Sequence, residues 1–137
     1  MSDRLIVEFY DTEDRGAPVA CVLAFHGGDN PSSAATTLSD FFDHLSKFSD
    51  PRLNDAGLLA SRFVVWESRK GTDSCDFTDV RLIPFRQAYG YQIARVYPGT
   101  DRPRVQMVRD EWTTEEELRE AETILGQTHI GDPIEAA

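Results

Sequence analysis

The sequence predicts an α+β fold: a largely antiparallel sheet of about five strands with two main helices packed on one face, in the order β-β-α-β-β-β-α. Three observations carry that expectation. Short β-branched and aromatic runs recur in pairs, separated by turn residues. Two longer stretches repeat apolar residues at helical spacing. The chain has 137 residues, 40% of them hydrophobic, enough to pack one core without a disulfide or metal staple.

Residues Arg4 to Tyr10 (RLIVEFY) read as the first strand. A polar turn over Asp11 to Pro18 leads into Val19 to Phe25 (VACVLAF), whose unbroken apolarity suits a central strand. The two are expected to form a hairpin. His26 to Pro31 (HGGDNP) ends the second strand, with Asn30 as helix N-cap and Pro31 at the first helical position. In the helix that follows, Leu38, Phe41, Phe42, Leu45 and Phe48 share one stripe, and Asp40, Asp43, His44 and Lys47 share the other side. It should stop before Pro51.

Leu53 to Ser61 is expected to hold a helical turn, and Arg62 to Ser68 (RFVVWES) a strand. After the polar loop Lys70 to Asp79, Val80 to Phe85 reads as a strand whose Pro84 suits an edge. Tyr89 to Tyr97 is a longer strand, with Tyr89, Tyr91, Ile93, Arg95 and Tyr97 on one face and Gln92, Ala94 and Val96 on the other. Pro98-Gly99 turns the chain, and Arg104 to Val108 returns as its hairpin partner. Thr113 with Glu116, and Thr114 with Glu117, both fit a capping box. Leu118, Ala121 and Leu125 then mark the buried stripe of a last helix, with Gly126 just past its end. Residues 1–126 are expected to form a single domain and 127–137 a loosely held tail.

Charge narrows the function. Acids outnumber bases 24 to 14, a net charge of −10. Direct nucleic-acid binding and adhesion to anionic membranes both need clustered Lys and Arg, so neither is expected, whereas a basic partner would be attracted. No apolar run is long enough for a transmembrane helix, and no signal peptide is visible at Met1 to Arg4, so a cytoplasmic protein is expected. The two cysteines, Cys21 and Cys75, lack the spacing of a disulfide framework or a zinc site. Lys47 and Lys70 are the only lysines. This arginine bias resembles the products of GC-rich bacterial or phage genomes.

Several segments carry residue types suited to chemistry. His26, Gly27, Gly28 and Asp29 lie between a strand and a helix, where freed amides attract anions and glycines admit a ligand. They are candidate ligand-binding residues, against the plainer reading of a strand-to-helix turn. The HGG string loosely resembles the oxyanion loop of lipases and esterases, but the G-x-S-x-G that completes that pattern is absent. Cys75 lies among Asp73, Asp76 and Asp79, which disfavour a thiolate, and the spacing of those acids does not match a calcium loop. Asp40 and His44 offer two metal ligands without a third. No catalytic residue, metal or cofactor is therefore expected.

Two surfaces suit a partner. Tyr89, Tyr91, Arg95 and Tyr97 form a face of the residue types favoured at binding hot spots, or else the packed side of a sheet. The segment Asp110 to Glu122 carries seven acids and one base, a net −6 in 13 residues. Asp110, Glu111, Glu115, Glu116 and Glu120 are its candidate partner-binding residues. Trp66 and Trp112 are expected to be partly buried anchors. The function expected is a small acidic, non-catalytic interaction or regulatory protein, of a phage or bacterial accessory kind, engaging a basic protein through its acidic helix. Two alternatives stay open: a small enzyme or binding domain using the HGGDN loop for an anionic substrate, and a structural homo-oligomer or virion subunit.

Overall fold

The structure, a computed structural model, describes residues 4–11, 17–24, 27–69, 80–83 and 92–131. These form β1 (Leu5–Phe9), β2 (Ala20–Ala24), α1 (Pro31–Leu45), α2 (Ala56–Ser68), β3 (Val80–Ile83), β4 (Gln92–Tyr97), β5 (Arg104–Met107) and α3 (Glu115–Leu125). The strands make one five-stranded sheet in the order β3-β2-β1-β4-β5. The fold is thus α+β, as its sequence suggests, with the expected β1–β2 and β4–β5 hairpins. The sheet is mixed, because β1 and β4 run parallel, with Ile6 beside Ile93 and Glu8 beside Arg95.

Alternation along β1 sorts its side chains to two faces. Leu5, Val7 and Phe9 join Val22, Ala94, Val96, Val105 and Met107 under all three helices, in one continuous core. Ile6 turns the other way and meets Leu23 and Ile93 in a smaller cluster that contains no helical residue. Much of the second face is nonetheless buried, including Ile6, Glu8 and Cys21.

Among the described residues there are three helices, one more than the two main helices expected. Arg62 to Ser68, expected as a strand, is the second half of α2. Its composition is β-prone, but Asp55 caps the helix by accepting a hydrogen bond from the Leu58 amide at 3.1 Å. Ala56, Leu59, Ala60, Phe63 and Glu67 then fall on one helical stripe. Burial of that stripe outweighs the modest preference of Val64 and Val65 for strands. Phe63 packs edge-on to Phe41 (centroids 5.1 Å apart) and against Phe9 (5.9 Å), tying both long helices to the sheet.

A second correction concerns the end of α1, which stops at Leu45. Phe48 therefore leaves the buried stripe and becomes partly exposed. The C-terminal segment also departs from expectation. Residues 127–131, the described part of the expected tail, are packed onto β5. The Gln127 side chain accepts from the Val105 amide and donates to the Pro103 carbonyl. The Met107 amide donates to the Ile130 carbonyl, and Ile130 itself is buried in the core. This segment covers the edge of the sheet, where unpaired backbone groups would otherwise face water.

No helix among the described residues is long and apolar enough to cross a membrane.

Candidate functional site

The HGGDN segment is built as a tight turn. Gly27 has φ +88°, in the left-handed region that favours glycine. A Cβ at Gly28 would lie 1.8 Å from the Arg4 carbonyl oxygen and 2.8 Å from the Leu5 nitrogen. Its backbone is thus pressed against the start of β1. The Asn30 side chain accepts from the Ser33 amide at 2.9 Å, and Pro31 opens α1, as expected of an N-cap. Packing and capping account for Gly27, Gly28 and Asn30. Asp29 is exposed. His26 lies outside the described residues. So do Cys75, Asp73, Asp76 and Asp79. No group of three metal-ligating side chains occurs among the described residues.

On the second face of the sheet, Arg95 and Tyr97 enter a polar network. The Arg95 Nε donates to Glu8 Oε1 at 3.0 Å, and its Nη1 donates to Gln106 Oε1 at 3.2 Å. The Tyr10 hydroxyl also donates to Glu8 Oε1 at 3.0 Å, and the Tyr10 and Tyr97 rings stack 4.8 Å apart. Glu8 is only 1% exposed, and Tyr97 6%. A carboxylate this deep is tolerable because it is paired and hydrogen-bonded. Burial, followed by the Glu8 charge and the hydrogen bond to it, pushes the Tyr10 hydroxyl up to about 12. For Arg95 and Tyr97, then, the described contacts are internal. Tyr89 and Tyr91 lie outside the described residues. The sequence reading missed Glu8, Tyr10 and Gln106. The signal was a lone Glu at an alternate position of an otherwise apolar strand.

The acidic segment is ordered by its own chemistry. Asp110 Oδ1 accepts from the Trp112 amide at 2.8 Å and the Thr113 hydroxyl at 2.9 Å, forming a compact turn before α3. Thr114 caps the helix by accepting from the Glu117 amide at 3.2 Å. Glu115, Glu116 and Glu117 occupy the first turn, where their charge complements the helix dipole. Leu118, Ala121 and Leu125 are buried as expected. Gly126 is left-handed at φ +69° and closes the helix.

Besides Asp110, two more of the carboxylates serve the fold. Glu115 pairs with Arg109, and Glu122 accepts from the Ile130 amide at 3.2 Å. Glu111, Glu116 and Glu120 are exposed and form no ion pair among the described residues. Trp112, in the same segment and expected as a partly buried anchor, is 78% exposed. The turn holds its backbone amide while most of the indole faces solvent.

A groove that the sequence did not suggest lies where α1 ends beside α2. Its volume is about 270 Å³, and it is lined by His44, Phe48, Ser61, Arg62, Val65 and Arg69. The Arg62 guanidinium sits 4.0 Å from the Phe48 ring centroid and donates to the Pro51 carbonyl at 2.9 Å. His44 lies edge-on to Phe48 and stacks on Trp66. Two arginines and a histidine therefore line one groove with Phe48 and Val65, in a protein of net charge −10. Neither the early end of α1 nor the helical state of Arg62 to Ser68 was legible beforehand, so this grouping was hidden.

Comparison with known proteins finds no matching family model, no matching curated protein and no matching solved structure.

Proposed function

We propose that this chain is a non-catalytic interaction protein that engages a basic partner through the surface formed by Trp112, Glu111, Glu116 and Glu120. The observation that carries the reading is the 78% exposure of Trp112 in a segment whose exposed Glu111, Glu116 and Glu120 form no ion pair among the described residues. A large ring left in water is a natural hot-spot anchor. The surrounding negative charge speeds encounter with a positive surface and fixes its orientation, adding less to final affinity. The seven acids of Asp110 to Glu122 make this the most negative part of the chain. A regulatory or accessory role inside the cell suits such a surface. The HGGDN reading is less well supported, because its glycines are already required by packing against Arg4 and Thr37.

The test is affinity capture from lysate of the source cells with wild type, W112A and the double variant E116K/E120K. A D29K/D40K variant, altered at exposed acids elsewhere, is the charge-matched control. The reading expects one or more basic proteins captured by wild type and by the control. Their capture should be lost with W112A and with E116K/E120K, and in about 1 M salt, where screening falls to roughly 3 Å. Capture that survives W112A, or that the control also abolishes, would contradict it.

A further inference from the structure

We infer that the groove between α1 and α2 receives Trp112 of a second copy of this chain, so that the protein associates head to tail. This rests on the reading of the Trp112 surface given above and names a partner for it.

The two surfaces are complementary in charge, size and polarity. The groove's apolar lining is Phe48 and Val65, both exposed to solvent. Its positive charge comes from Arg62 and Arg69, with the His44 ring beside them. At about 270 Å³ it falls just below the roughly 300–1,000 Å³ typical of sites for small molecules and cofactors. It suits a single large side chain. The Trp112 indole is such a side chain, and it carries the matching charge beside it in Asp110, Glu111 and Glu116. Arginine beside an aromatic ring also favours stacking on an incoming indole, and the guanidinium of Arg62 already holds that posture over Phe48.

Knob and groove are different parts of the surface. Their contact is therefore heterologous, and each copy that docks leaves one free knob and one free groove. Such a contact grows into longer assemblies unless the rotation between copies closes a ring. It is small, being centred on one anchor, and each copy carries a net charge of −10 that opposes approach. The association is accordingly weak, with a dissociation constant on the order of 100 µM near physiological salt.

The test is sedimentation equilibrium of wild type, W112A and V65E from about 10 µM to 1 mM, with thermal melts to confirm that both variants fold. Val65 and Trp112 are exposed, so both variants should melt with wild type. Wild type should gain mass with concentration, beyond a dimer at the upper end. Each variant alone should stay largely monomeric up to about 100 µM and gain far less mass than wild type above it, its affinity reduced about tenfold or more. A mixture should form a dimer that grows no further, because W112A keeps an intact groove and V65E keeps an intact Trp112. A monomeric wild type at 1 mM, association of W112A equal to wild type, or a mixture that stays monomeric would each overturn the inference. Monomeric wild type with Trp112-dependent capture of another protein sinks self-docking alone and leaves the function proposed above standing.

Discussion

Substituting Gly28 by alanine separates a structural turn from a ligand loop. The added Cβ would stand 1.8 Å from the Arg4 carbonyl oxygen and 2.2 Å from its carbon, where real Cβ atoms essentially never come within 3.0 Å. Relief requires more than about 1 Å of movement. The obstructing atoms are backbone, not a flexible side-chain tip, and they lead directly into Leu5. Leu5 is fully buried and paired on both sides, to Ala24 in β2 and to Gln92 in β4. Three strands would have to shift together or the turn must lift off. Overpacking commonly costs about 1–3 kcal/mol, and this site belongs at the upper end or beyond, about 3 kcal/mol. For a chain of this size that corresponds to a fall of roughly 10 °C in Tm. Asp29→Ala, one residue on and exposed, should stay within about 0.5 kcal/mol of wild type. Circular-dichroism melts and urea titrations measure both. A G28A protein melting within about 2 °C of wild type would refute the packing argument and return this loop to the list of open sites.

Four further outcomes are expected. Phe63→Ala removes the ring that joins Phe9, Phe41 and Trp66, and should cost about 3–5 kcal/mol in urea unfolding; a loss below about 1 kcal/mol would mean that α2 does not close the core. The Tyr10 hydroxyl, held at about 12 in the fold against 10.0 ordinarily, contributes stability that is complete below about pH 10 and is lost as pH rises towards about 12. Unfolding free energy should therefore fall less steeply across that window in Tyr10→Phe than in wild type, and parallel curves would contradict the shift. Thr114→Ala and Asn30→Ala each delete a side-chain cap and should each cost about 1 kcal/mol, read from the same titrations. Trp112→Ala should leave stability within about 0.5 kcal/mol of wild type while abolishing binding; a large loss of stability would show the ring to be a structural anchor after all.

The parts of the fold that could be read beforehand were those written in local periodicity. Leu5, Val7 and Phe9 alternate as a strand must. Asn30-Pro31 announces one helix start, Thr113 and Thr114 announce another to within one residue, and Gly126 announces a stop. Leu118, Ala121 and Leu125 recur at helical spacing and are buried. The run from Arg62 to Ser68 failed because a short apolar segment has no period of its own. Phe63, Val64, Val65 and Trp66 suit either state, and only the surface offered by β1 and β2 decides. Ile130 failed for a similar reason. One apolar residue near a terminus carries no pattern, and its burial depends on a free sheet edge formed by residues more than 20 positions earlier.

By itself the sequence determined the α+β class, two hairpins, the ends of several elements and the concentration of negative charge on α3. All of these follow from neighbours within a few residues, where backbone preference and side-chain spacing act directly. Tertiary structure alone decided that β1 and β4 run parallel, since alternation looks the same in either direction. It alone buried Glu8 beside Arg95, 87 residues away, and gathered His44, Arg62 and Arg69 around one groove. It also left Trp112 in water. Burial is a property of what lies across space from a residue, and the chain's order does not state which distant segment that will be.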